Sequence, residues 1–518
     1  MSFINSIFNL MFKSRLTEID GFRKNPAAAQ ERQLLQSVER SQDSEFGLQH
    51  DFSSIRSVEA YQQRVPLHHS GNLRPLIERM MQGEGNVLCS EEVKWFAKSS
   101  GTTTEKSKFI PVPQCSLDSC HYRGAKDVLT FYLNRYPDSN ILTNKGLTLG
   151  GSHQVVSIGA STYCGDLSAI LIENAPLITE LVRTPSREVA LIADFGEKVR
   201  RIAEETLSEN VVQFVGVPSW NLVLMRYLLR YAGKSNLLEV WPQLELFVHG
   251  GVSFAPYREQ FRDIIPSPDM RYLETYNASE GFFAIQDDLG DSSMLLMLDY
   301  GIFYEFIPMS EFGSASPTCR TVADVQMGVS YAMVITTNGG LWRYVIGDTV
   351  EFTSLFPHKV KITGRTKHYI NVFGEELVVD NAENALRTAC AATNASIRDY
   401  TVAPVFMRGD EKGGHEWLIE FEQPPADLAV FATLLDQALC AANSDYEAKR
   451  KCNTTLNMPI VRSLASGTFY RWMTQRGKLG GQNKVPRLYN TREYVEQLNR
   501  LSEGGSAAND SSLPLPLP

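Results

Sequence analysis

Cysteine is sparse: the eight in 518 residues, Cys89, Cys115, Cys120, Cys164, Cys319, Cys390, Cys440 and Cys452, form no Cys-x-x-Cys pair. That spacing argues against a zinc framework or a disulfide scaffold and predicts reduced thiols. No run approaches the roughly 18 apolar residues that cross a bilayer, so no membrane span is expected. The opening stretch, MSFINSIFNLMFKSRLTEI, has no basic region ahead of its apolar residues and no small-residue cleavage site, which argues against a secretory leader and for the cytoplasm. Basic charge is also short, with 50 Lys and Arg against 59 Asp and Glu and a net charge of -9. Without a surplus to neutralise phosphates, broad adhesion to nucleic acid or anionic lipid is excluded, although a local basic pocket is not. His68, His69, His121 and His153 show no metal-ligand spacing, and the cysteines show no nucleophile signature, so hydrolase chemistry has weak support.

What the chain does have is length and an ordinary globular composition, 43% hydrophobic and 21% charged. It can bury a substantial core and is longer than one core usually organises, so two or more domains are expected. Phe3, Ile7, Leu10 and Met11 fall at helical spacing, which predicts an amphipathic helix packed on the domain rather than a membrane anchor. Residues 26 to 85 read as helices broken by polar turns. From about 140 to 300, short apolar runs (VVQFVGV, LELFVHGG, FFAIQ, SMLLML) alternate with helix-like stretches, the pattern of βα units in a layered sheet. Compact β-rich runs between 330 and 370 (YAMVITT, LWRYVIGD, KVKITGR) predict a small β subdomain, and the texture after Gly374 predicts a separate α+β domain. The expected organisation is an α/β N-terminal domain over 1–367, a C-terminal domain over 368–503, and a Ser/Gly/Pro-rich disordered tail over 504–518.

The chemistry-bearing segments are few. Ser99, Ser100, Gly101, Thr102, Thr103, Thr104, Glu105, Lys106, Ser107 and Lys108 make a hydroxyl-rich loop around one glycine, closed by lysines. Its hydroxyls and N–H groups suit phosphoryl oxygens, and a lysine offsets their charge. It is not a Walker loop, because the second glycine and the Gly-Lys-Ser/Thr ending are missing. His249-Gly250-Gly251 follows the apolar run LELFV, a strand end whose glycines let a flat ring approach the backbone. Three further segments follow in order: Glu274-Thr275-Tyr276-Asn277-Ala278-Ser279-Glu280-Gly281, Trp342-Arg343-Tyr344-Val345-Ile346-Gly347-Asp348, and Gly364-Arg365-Thr366-Lys367. Gly480-Gly481-Gln482-Asn483-Lys484-Val485-Pro486-Arg487 is a glycine-flanked basic loop near the end. Any one of these alone is more often a solvated turn. Asp166, Leu167, Val217 and Phe282 are candidates for an apolar substrate wall, where core packing explains them equally well.

SSGTTTEKSK resembles the phosphate loop of the adenylate-forming superfamily. With NPAAAQERQLL, SEFGLQHDFSSIRSVEAYQQRVPL and PLIERMMQGEGNVL around it, the chain resembles the auxin-responsive Gretchen Hagen family of acyl acid amido synthetases, as a bacterial-type member, over roughly residues 25 to 500. The resemblance implies an α/β adenylate-forming domain with a smaller mobile α+β domain, and ATP and Mg2+ as cofactors. It implies that Ser99, Ser100, Gly101, Thr102, Thr103 and Lys108 hold phosphates, and that Gly250, Gly251, Tyr276, Asn277 and Ala278 flank adenine. Ser279 would sit by the phosphate, Asp348 would accept the ribose hydroxyls, Arg365 would touch ribose or phosphate, and Lys367 would be the hinge. Glu280 would coordinate Mg2+, and Lys484 would stabilise charge as a carboxylate attacks the α-phosphate. The expected substrates are a small carboxylic acid and an amine, in particular an amino acid's, with no nucleic acid, membrane or obligate protein partner. The rival readings are a ligase with coenzyme A or a carrier thiol as acceptor, and a non-catalytic nucleotide-binding protein of the same fold.

Overall fold

The computed structural model describes residues 3–100, 107–150, 155–159, 161–252, 254, 257–366, 369–375, 377–407, 411–451, 456–476 and 485–504. The chain divides into two compact units, residues 1–99 with 107–366, and residues 100–106 with 367–518. No helix among the described residues is long and apolar enough to cross a membrane.

In the first unit, a helical prelude runs through Phe3–Lys24, Pro26–Arg40, Glu45–Gln49, Val58–Arg64 and Ser70–Met81. Pro26 starts its helix at a position where the missing N–H costs nothing. Ser44 and Ser57 cap the next two by accepting from Gly47 N and Ala60 N. The first helix is fastened to the body by Arg15. Its guanidinium is bound to Asp127 at 2.7 Å and to Asp299 at 2.5 Å, with Asp127 only 1% exposed. Ile19 and Phe22 of the same helix are buried in the core. The side chains of Phe3, Ile7, Leu10 and Met11 lie outside the described residues.

A small sheet orders β2 (Ser107–Val112), β1 (Trp95–Ser100), β5 (Tyr163–Gly165) and β4 (Val156–Ser157) side by side. The large sheet contains β3 (Lys145–Thr148), β6 (Arg183–Thr184), β7 (Val211–Gly216), β8 (Leu246–His249), β9 (Arg271–Ala278), β10 (Gly281–Ile285), β11 (Met294–Leu296), β12 (Ile302–Pro308), β13 (Ser330–Thr337), β14 (Tyr344–Leu355) and β15 (His358–Arg365), in the order β12-β13-β14-β15-β11-β10-β9-β8-β7-β3-β6. Its pairings are parallel from β6 to β9 and antiparallel from β9 to β12. The parallel half is the βα-like stretch, joined by the helices Pro218–Ala232 and Arg258–Ile264. The β-rich run at 330 to 370 forms the antiparallel end of the same sheet. Every residue of β8, β10 and β12 is buried, so these strands show no in-and-out alternation, and the polar His249 and Glu305 they carry are enclosed with the rest.

The second unit has a three-stranded sheet in which β18 (Ser396–Val405) pairs antiparallel with β19 (Gly414–Gln423), and β19 parallel with β20 (Ile460–Leu464). The helices Val379–Thr393 and Leu428–Ala442 pack on each other, the latter capped by Asp427. A short hairpin of Tyr369–Ile370 and Leu377–Val378 brackets Glu375, which is fully buried. Its carboxylate accepts from Val372 N, Phe373 N and His415 Nε2 at 2.7 to 2.8 Å.

Candidate functional site

The parallel strands β7, β8 and β9 run side by side, with Gly216 opposite His249 and His249 opposite Glu274. Open α/β sheets bind ligands outside such carboxyl ends. Beyond Glu274, β9 continues to Ala278 and turns back through Ser279 and Glu280 into β10, with Ala278 paired to Gly281.

Near the end of β9 the Tyr276 hydroxyl donates to Asp348 Oδ2 at 2.7 Å, and Arg365 Nε donates to Asp348 Oδ1 at 2.9 Å. Asp348 and Arg365 face each other across β14 and β15, so strand register sets this pair. Tyr276 and Asp348 are both buried. Burial and the Asp348 carboxylate push the Tyr276 phenol well above its ordinary value, so it is a proton donor at neutral pH. Its ring stands edge-on to Phe283 at 4.8 Å.

Gly250 lies so close to β9 that a Cβ there would fall 2.5 Å from the Thr275 carbonyl oxygen and 3.2 Å from Asn277 Oδ1. Only glycine fits. Val217 lies against Gly251, where an added Cβ would meet its methyl group at 3.3 Å. His249, 3% exposed and stacked on Phe254 at 4.2 Å, is pushed down to about 3 by burial and by Arg258, so it is neutral in the fold. Its Nδ1 has no hydrogen-bond partner among the described residues.

Lys108, on β2, donates to Glu280 Oε1 at 2.6 Å, and both side chains are nearly sealed from solvent at 9% and 3% exposure. Tyr344 is buried, and the charges of Lys108, Glu280 and Arg365 all bear on its hydroxyl. The nucleoside candidates and the phosphate candidates therefore adjoin. Among the described residues no group of three or more His, Cys, Asp or Glu could hold a metal ion. Glu280 fits the other habit of Mg2+, one carboxylate with the remaining positions filled by water and nucleotide oxygens.

Sequence reading missed the frame behind Asp348. Arg343 carries a positive φ of 40°, rare for a long side chain, and is held there by a bidentate pair with Glu305 at 2.8 and 2.9 Å. It also donates to the carbonyls of Gln62 and Val65, while His68 clamps the same segment through Val345 N and the Arg343 carbonyl. No local signal marks a pair 38 positions apart. Lys198 was missed too. It is 1% exposed, donates to the Gly150 carbonyl at 3.4 Å, and is pushed down to about 8 by burial against the opposing charge of Asp166.

Asp166 opens the helix Leu167–Glu173, and Leu167 is half-buried. The Phe282 ring is in the core, edge-on to Tyr300 at 6.1 Å and so close to Gly124, on the helix Tyr122–Arg135, that a Cβ there would fall 2.5 Å from it. Asn277 is exposed, Ala278 and Ser279 half-buried, and Ser99 lies half-buried near the end of β1. Gly101, Thr102, Thr103, Lys367, Lys484 and the side chain of Ser100 lie outside the described residues.

The GH3 family N-terminal domain matches residues 15–270, the GH3 family central domain 295–365, and the GH3 family C-terminal domain 380–493. The chain belongs to the GH3 family. The indole-3-acetic acid-amido synthetase GH3.3 of Arabidopsis thaliana is 21% identical, over 93% of this chain and 92% of that one. Among solved structures, the GH3.15 acyl acid amido synthetase superposes with a TM-score of 0.60 at 16% identity, covering 95% of each chain. A 2-hydroxyisobutyryl-CoA ligase in complex with 2-HIB-AMP and CoA superposes with a TM-score of 0.56 at 15% identity, covering 92% of this chain and 93% of its own. These likenesses show the fold, a mixed α/β architecture with a large N-terminal part and a separate C-terminal one.

Proposed function

We propose that this GH3 protein is an ATP- and Mg2+-dependent acyl acid amido synthetase, which activates a small carboxylic acid as an acyl-adenylate and passes the acyl group to an amine, that of an amino acid. The observation that carries this reading is the Tyr276–Asp348–Arg365 cluster adjoining the Lys108–Glu280 pair in a chain of this family. Asp348 is the carboxylate for the ribose hydroxyls, held in position by the Tyr276 hydroxyl and the Arg365 guanidinium. The Gly250–Gly251 turn, held close against β9, would flank the base, and Ser279 sits in the hairpin beside Glu280. Lys108 is the cation for phosphate, and Glu280 the carboxylate for Mg2+. Bound there, Mg2+ would neutralise charge on ATP oxygens.

The substrate carboxylate attacks the α-phosphate and pyrophosphate leaves, which turns a poor leaving group into AMP. Lys484 stabilises the charge that develops in this step. An amine then attacks the acyl carbon, releasing AMP and giving an amide. We assign residues 1–367 to nucleotide and acid binding and 368–503 to a mobile domain pivoting at Lys367, which would exchange the groups that face the reaction between its two halves. The seven described cysteines are free thiols, which supports a reducing, cytoplasmic setting.

The fold is shared with a CoA ligase, so a thiol acceptor is the second reading. Purified protein with ATP, Mg2+ and a panel of carboxylic acids should release pyrophosphate with some acid, and product mass after adding amino acids or coenzyme A should show the amide. A thioester product would favour the second reading. No ATP–pyrophosphate exchange with any acid would remove both. Lys484→Ala should lower exchange by about 100- to 1000-fold and leave ATP binding in place. Wild-type exchange in that variant would overturn the role of Lys484.

A further inference from the structure

Lys108 and Glu280 lie 172 positions apart in sequence and meet at 2.6 Å with almost no solvent around either side chain. A carboxylate so enclosed requires a cation at all times, because leaving it charged and unpaired is strongly unfavourable. In the protein without nucleotide, that cation is the lysine. We propose that Lys108 is the resident counter-cation of Glu280, that it keeps free divalent metal off this carboxylate, and that nucleotide phosphate creates the metal site by drawing the ammonium away. The idea deepens the adenylation reading and rests on it.

Three observations support the exchange. The partner at this carboxylate is a lysine, a compact charge on a flexible four-carbon stem whose backbone stays fixed in β2 while its head pivots, unlike the rigid fork of Arg365 on Asp348. Next, Glu280 belongs to no group of three or more His, Cys, Asp or Glu among the described residues that could hold a metal ion by itself. Mg2+ therefore depends on nucleotide oxygens for the rest of its ligands. Finally, Tyr344 lies where the charges of Lys108, Glu280 and Arg365 all act on its hydroxyl, a polar foothold beside the pair when the ammonium moves. The consequence is an order of events: metal enters with or after nucleotide, never ahead of it.

Mn2+ binding, followed by the loss of its free electron paramagnetic resonance signal, tests this without reference to turnover. Wild-type protein should bind Mn2+ at the background level alone and at least tenfold more tightly with the non-reacting analogue α,β-methylene-ATP. Lys108→Gln, which removes the charge but keeps a donor for Glu280, should bind Mn2+ alone at least tenfold more tightly than wild type, and adding Glu280→Gln should abolish the gain. Mn2+ alone should likewise raise the Tm of Lys108→Gln and leave that of wild type unmoved, a readout that survives if the variant is less stable. Equal Mn2+ affinity of wild type and Lys108→Gln without nucleotide, or a gain that persists in the double variant, would overturn the inference. Failure of wild type to bind the analogue by calorimetry would instead overturn the adenylation reading beneath it.

Discussion

The two ends of the candidate site hold their carboxylates differently. Asp348 is gripped from both sides, by a tyrosine hydroxyl on β9 and by an arginine opposite it on β15, and the strand carrying it starts from a strained Arg343 locked to Glu305. Glu280 sits in a two-residue hairpin and has one lysine as its charged partner. A carboxylate with rigid donors on each oxygen is set before any ligand arrives. One neutralised by a single flexible ammonium is set only until a stronger anion appears. On the proposed function, the nucleoside end is thus built into the sheet, and the phosphate end is left adjustable, where charge would have to change during the reaction.

The contrast can be broken at its firm end. Asp348→Ala would leave Arg365 without its buried carboxylate, and should cost about 3–5 kcal/mol of stability in urea unfolding along with nucleotide affinity. A loss below 1 kcal/mol would mean the grip is not structural. His249, beside the Gly-Gly turn, sharpens the comparison through pH. Its folded pKa of about 3 lies below the ordinary 6.5, so the unfolded chain binds the proton more readily, and stability falls as pH drops from 6.5 toward 3. Compared with His249→Gln, wild type should lose about 1.4 kcal/mol per pH unit over that window, read by urea unfolding at pH 7 and 5. Parallel curves for the two proteins would show that the ring is not buried as a neutral group. Tyr276→Phe should matter least, about 1 kcal/mol, because Asp348 keeps Arg365. A larger loss of nucleotide affinity than of stability would make the hydroxyl a ligand contact rather than a strut.

Much of this was readable from residue order. Asp348, Tyr276 and Glu280 sit in short motifs whose spacing survives because each motif occupies a single strand or turn, where local geometry is fixed by a few residues. The βα alternation was legible as far as β9, since parallel strands and their crossover helices impose different periods on apolar residues, whereas FFAIQ and SMLLML, read as part of it, form the antiparallel strands β10 and β11. Partnership was not legible. Nothing near Glu280 announces Lys108, and nothing near Arg343 announces Glu305, because ion pairs between strands depend on how the sheet is ordered, which no local pattern encodes. Phe282 illustrates a related point: an aromatic next to a motif looks the same in sequence whether its ring points to a ligand or into the core. The run from 330 to 370 looked self-contained because antiparallel hairpins are locally closed, yet their edge strand β15 pairs with β11 and extends the large sheet.

Arg15 reaches a carboxylate 284 positions further along the chain. A ribosome adding about 5–20 residues each second would deliver Asp299 roughly 15–60 s after the arginine. Throughout that interval Ile19 and Phe22 belong to a helix whose core has not yet been made. The Arg15–Asp299 pair therefore closes only late in synthesis, while the strands from Ser330 to Arg365 of the same sheet are still to come.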